Sequence, residues 1–117
     1  MKRFARSVAH ALKGLFYTFR NERNFQVELA VTGVVLLLML WLPLTPTERM
    51  MLIVAIVLVL ALELVNTAVE RIMDILKPRV HPYARVVKDV MAGSVFVVSL
   101  GALLLGVIIF LPYFFFR

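Results

Sequence analysis

Three long apolar runs, at residues 27–42, 50–69 and 90–116, divide this chain. Crossing a bilayer core takes ~20 helical residues. The second and third runs suffice alone, and the first reaches that length with Phe25 and Gln26 or in a locally thinned bilayer. Residues 1–20 follow another rhythm. Phe4, Val8, Leu12, Leu15, Phe16 and Phe19 recur at steps of three and four, with Lys2, Arg6, Lys13 and Arg20 mostly between them. This spacing predicts an amphipathic helix lying in the cytoplasmic interface, its basic face toward anionic headgroups. A helix packed on other protein is the alternative. The predicted elements are a surface helix over 1–22 and helices over 25–42, 49–76 and 84–113, all in one domain spanning 1–117.

The connections follow from the breakers. Residues 21–24 read as a turn into the first span. "PLTPTER" supplies two prolines and two threonines for a tight turn, with Thr47 the expected cap of a helix beginning near Glu48. The next breaker is Pro78, so the second helix covers roughly 28 residues, about 42 Å. That exceeds the ~30 Å hydrocarbon core, and its last turns should emerge into water. "KPRVHPY" then forms a short loop.

Composition sharpens this into an all-α membrane protein. Of 117 residues, 62% are hydrophobic, above the half expected of soluble domains. No cysteine is present, which excludes disulfides and thiolate metal sites, and no cleavable signal peptide is evident. Positive charge sets the expected orientation. Residues 1–28 hold six cations against two carboxylates, and residues 70–89 hold five against three, whereas Glu48 and Arg49 cancel in the first connection. The positive-inside rule then puts the N-terminus and second connection in the cytoplasm, with the first connection and the C-terminus outside.

The candidate chemistry sits where a membrane helix should have none. Glu63, Asn66, Glu70 and Asp74 interrupt the second span. At ~100° per residue they fall in one strip roughly 80° wide. Carboxylates in hydrocarbon are costly and repel one another, so the strip must face protein, water, metal or substrate. From Arg49 at the outer surface, Glu63 is about 21 Å deep, just below the cytoplasmic headgroups. Lys88 and Asp89 open the third span, and Glu22 and Glu28 flank the start of the first. Carboxylates and an amide suit Mg²⁺, which also takes substrate phosphates. Lys88, Arg79 and Arg85 suit phosphate oxygens. Together these groups suit phosphoryl transfer onto a lipid hydroxyl, with the deeper carboxylate taking the proton. Plainer readings stand beside this one. Asp74 is expected to be a structural partner of Arg71 or Lys77, Glu48 and Arg49 to be surface charges, and His81 to be a loop histidine. The aromatic run at 110–116 reads as an interfacial feature.

"ELVNTAVERIMD" followed by "HPYARVVKDVMAGS" resembles the small prokaryotic diacylglycerol kinase family, which includes the undecaprenol kinases of Gram-positive bacteria. The pattern E-x-x-N-[ST]-A-[IV]-E-x-x-x-D, then K-D, is filled by Glu63, Asn66, Thr67, Ala68, Glu70, Asp74, Lys88 and Asp89. "KGLFYTFRNERNFQVE" matches the family's surface helix and its N-E-x-x-F element through Asn21, Glu22 and Phe25. Met91 departs from the small residue relatives often carry there. The resemblance implies an ATP-dependent, Mg²⁺-requiring lipid kinase without a Walker A loop, in the plasma or inner membrane of a prokaryote. It implies Glu63 as general base, Glu22 and Glu70 as metal ligands, and these two with Lys88, Asp89, Arg79, His81 and Arg3 around the nucleotide. Glu28, Glu63 and Asn66 are implied to line the substrate pocket. It also implies a homotrimer with shared active sites, for which Ala92, Gly93 and Ser94 permit close helix approach. "HPYARVVKD" reads more like the Gram-positive branch, which favours undecaprenol over diacylglycerol. No nucleic-acid partner is expected.

A small oligomeric channel or transporter using Glu63 is the competing class. Residues 50–62 and 95–110 offer only Ser99 as a hydrogen-bonding side chain, too little for a continuous polar path. A non-catalytic scaffold would leave the polar strip unexplained.

Overall fold

The computed structural model describes residues 1–76 and 82–115, and these form four helices. α1 runs Lys2–Asn21, α2 Arg23–Trp41, α3 Pro46–Leu76 and α4 Tyr83–Phe115. α2, α3 and α4 are each long and apolar enough to cross a membrane. The all-helical architecture follows the apolar periodicity of the sequence. α3 is the central element, packing against α4, α2 and α1.

The breaks differ in detail from the spacing of the sequence. The turn expected over 21–24 shrinks to Glu22 alone, whose extended backbone (φ −120°, ψ 114°) separates two helices. Its N–H still donates to the Thr18 carbonyl, so the joint is tight. α3 starts at Pro46, earlier than expected, because Thr45 rather than Thr47 caps it. The Glu48 N–H donates to Thr45 Oγ1 at 3.1 Å, and the Thr45 N–H donates to Glu48 Oε1 at 3.0 Å. This is a reciprocal capping box with proline at the first helical position, where its missing N–H costs nothing.

Glu48 and Arg49 are therefore not idle surface charges. Arg49 reaches back to the end of α2 and donates to the carbonyls of Met39 (2.6 Å) and Leu42 (3.3 Å). Those acceptors lie where a helix terminus leaves carbonyls unsatisfied. Tyr113 of α4 donates its hydroxyl to Glu48 Oε1 at 2.7 Å and lies 3.3 Å from the Pro43 carbonyl oxygen. Under this polar knot sits the apolar core of Met39, Leu42, Leu44, Leu52 and Ile109. One end of the bundle is thus sewn shut.

The rest of the chain is thin. Its extents are 59 × 41 × 21 Å, and 21 Å is about two helix diameters. In the most apolar stretches of α2, α3 and α4 only 11%, 22% and 6% is buried within the chain. Phe4, Leu12 and Phe16 of α1 are exposed as well. So much uncovered apolar surface fits a lipid environment, where only backbone hydrogen bonds must close internally.

Candidate functional site

The site lies at the end of α3 opposite the sewn turn. Helical periodicity turns Glu63 and Thr67 inward, and both are buried, Glu63 to 3% exposure. Thr67 donates its hydroxyl to the Glu63 carbonyl at 3.0 Å, so it satisfies itself on the preceding turn and leaves the Glu63 carboxylate for other partners. Asn66 and Glu70 are half-buried beside them. The carboxylates whose charge reaches Glu63 are Glu28, Glu22 and Glu70. These four acidic groups come from α2, α3 and the α1–α2 joint.

Glu22 is held in place by a residue that the spacing of the strip does not single out. Arg71 Nη2 donates to Glu22 Oε1 at 2.6 Å, and Arg71 Nε donates to the Tyr17 hydroxyl at 2.8 Å. Of the two expected partners of Asp74, Arg71 is engaged elsewhere. Arg71 is turned toward α1 and taken by Glu22 and Tyr17, while Lys77 lies outside the described residues. Asp74 pairs instead with Lys88 across to α4, at 3.1 Å. Asp74 remains an exposed ion-pair partner, and Lys88 sits next to the exposed Asp89 in the first turns of α4.

Of the other expected nucleotide contacts, one lies among the described residues. Arg3 is exposed near the start of α1, nineteen residues before Glu22 or about 28 Å along a helix. Arg79 and His81 lie outside the described residues. Among the described residues no group of three or more histidines and carboxylates is arranged to hold a metal ion. Mg²⁺ keeps several waters and is bound through one or two carboxylates plus substrate phosphates. Glu22 and Glu70 fit that role, since Arg71 contacts only Oε1 of Glu22 and a carboxylate has a second oxygen to offer.

A groove of about 550 Å³ runs along the apolar flank between α2, α3 and α4. Glu28 and Thr32 line one end of it, and Leu38, Leu52, Val107 and Phe110 line much of the remainder. Among the described residues, Glu28 is the one carboxylate that lines this largely apolar trough.

The chain matches the prokaryotic diacylglycerol kinase family over residues 9–110. It is 38% identical over 112 residues to the undecaprenol kinase of Bacillus subtilis (strain 168), covering 96% of this chain and 91% of that protein. It is 32% identical over 91 residues to a diacylglycerol kinase of Haemophilus influenzae (78% of this chain, 77% of that protein). To a diacylglycerol kinase of Synechocystis it is 31% identical over 107 residues, covering 91% of this chain but only 61% of that longer protein. A three-span helical chain with such relatives belongs to the prokaryotic diacylglycerol kinase family and is a lipid kinase.

Proposed function

We propose that this kinase transfers the γ-phosphoryl group of ATP to the primary hydroxyl of undecaprenol, with diacylglycerol as the second candidate. The observation that carries the reading is the burial of Glu63 inside a membrane helix, on the same strip of α3 as Asn66 and Glu70. In the reaction the lipid oxygen attacks the γ-phosphorus as the bond to ADP breaks. Glu63 accepts the hydroxyl proton, which a carboxylate can do when positioned beside the attacking oxygen. Glu22 and Glu70 would hold Mg²⁺, which when bound would supply neutralisation of phosphate charge. Lys88 and Asp89 bind nucleotide, with Arg79, His81 and Arg3. Glu28 and Asn66 line the alcohol's pocket, and the apolar groove accommodates its hydrocarbon chain.

The same reading sets the surroundings. The acidic end faces the cytoplasm of a prokaryotic cell, the source of ATP, and the C-terminus lies outside. α1 rests on the inner headgroups with Lys2, Arg6, Lys13 and Arg20 toward anionic lipid. A homotrimer with shared sites supplies the walls that one thin chain lacks and brings a distant residue such as Arg3 to a neighbour's nucleotide. Undecaprenol is favoured because the undecaprenol kinase relative is matched at higher identity and over more of its length than the two diacylglycerol kinases.

Purified protein in vesicles, given γ-labelled ATP with undecaprenol or with diacylglycerol, tests this. Label is expected in undecaprenol, at a several-fold higher kcat/KM than in diacylglycerol. Preference for diacylglycerol would reverse the substrate assignment, and label in neither lipid would refute both candidates.

A further inference from the structure

Glu22 occupies an unusual place for a metal ligand. It is the single non-helical residue between α1 and α2, so its carboxylate is only as fixed as the docking of α1 on α3. The contact that fixes it is Arg71. Two separate donors of one planar guanidinium are engaged, Nη2 by Glu22 and Nε by Tyr17, and the Arg71 Cζ lies 5.6 Å from the Tyr17 ring centroid. Tyr17 belongs to α1, Glu22 to the joint and Arg71 to α3. Three parts of the chain therefore meet on one fork. The Glu22 side chain is 21% exposed and that of Arg71 37%, so the contact is partly screened but not free in solvent.

A lysine would give the same charge but not this geometry. Its ammonium is a point on a flexible stem, whereas the guanidinium presents donors at fixed spacing. The Tyr17 hydroxyl sets the rotation of the fork, and the fork sets the rotation of the carboxylate. One Glu22 oxygen is taken, and the other is left for a ligand.

We propose that Arg71 is a positioning residue of the kinase: aligned by Tyr17, it holds the Glu22 carboxylate at the α1–α2 joint in the orientation that metal-bound nucleotide requires. This rests on the reading of Glu22 as a metal ligand. Partners that orient a ligating carboxylate cost about 10- to 100-fold in metal affinity or activity when removed.

The test is Mn²⁺ binding, followed by electron paramagnetic resonance, to the purified full-length protein with a non-hydrolysable ATP analogue. Steady-state kinetics accompany it. Arg71→Ala is expected to weaken metal–nucleotide binding about tenfold and to raise KM for ATP by a similar factor, with kcat within about twofold of wild type. Tyr17→Phe, which removes one hydroxyl, is expected to shift both in the same direction by about threefold. Arg71→Lys keeps the charge and is expected to recover less than half of the loss. Wild-type binding in Arg71→Ala and Tyr17→Phe, alongside lost binding in Glu22→Gln, would overturn the positioning role and leave Glu22 as a ligand. Full recovery by Arg71→Lys would also overturn it, since charge alone would then suffice. Undiminished binding in Glu22→Gln would instead remove the reading of Glu22 itself. Should Arg71→Ala fail to fold, Tyr17→Phe and Arg71→Lys decide the matter.

Discussion

Glu63 is an expensive residue for its position. A charged residue within a membrane helix costs up to about 2.5–3.5 kcal/mol on insertion scales, and Glu63 is buried within the chain. Among the described residues no hydrogen bond or ion pair to the Glu63 carboxylate rewards the fold for a negative charge. Glu63→Gln and Glu70→Gln are therefore expected to leave resistance to unfolding unchanged or slightly raised, because repulsion along α3 falls. Thermal unfolding in detergent checks this, and collapse of either variant would move the residue into a structural role. The acidic row was legible in the sequence because the helical period alone fixes which residues share a face. The clamp on its neighbour was not. Arg71 and Glu22 are far apart along the chain, and only the docking of α1 on α3 joins them. Likewise, nothing in the local spacing shows that Asp74 turns to Lys88 on another helix rather than to Arg71 on its own.

Among the elements, the turn between α2 and α3 governs the end of the bundle remote from the chemistry. Its signature was present in the sequence, since Thr45 stands three residues before Glu48 with Pro46 between them, but Thr47 offers a competing cap two residues later. The backbone decides for Thr45 because proline at the first helical position needs no hydrogen bond. Loss of a capping side chain costs about 1 kcal/mol, so Thr45→Ala is expected to destabilise the folded protein by that amount in an SDS–detergent titration. Tyr113→Phe removes the hydroxyl bond to Glu48 and is expected to cost about 1 kcal/mol as well. Both variants should keep wild-type KM for ATP, because the turn and the acidic cluster occupy opposite ends of α3. A large change in KM would show that the two ends are coupled.

As a whole molecule, the chain is too thin to enclose its own site. An object 21 Å across has little room to surround a nucleotide, a metal ion and a lipid head. The three apolar helices were legible from run length, since membrane burial demands nothing beyond continuous hydrophobicity and closed backbone hydrogen bonds. Run length carries no information on assembly, because lipid-facing and protein-facing surfaces of such helices are equally apolar. If sites are shared between copies, chains carrying Glu63→Gln mixed with chains carrying Lys88→Ala should regain part of the activity each lacks. Size measurement in detergent should give three copies per particle. Absence of any recovery on mixing would place each complete site within one chain.

The central claim is that the acidic flank of α3 performs phosphoryl transfer to a membrane alcohol, and the transfer of label from ATP to undecaprenol in vesicles by wild type and by Glu63→Gln tests it most directly. Loss of a positioned base costs about 10²- to 10⁴-fold, and a fall of that size in kcat with the fold intact is the expected result. Labelling by Glu63→Gln within a few-fold of wild type would contradict the claim.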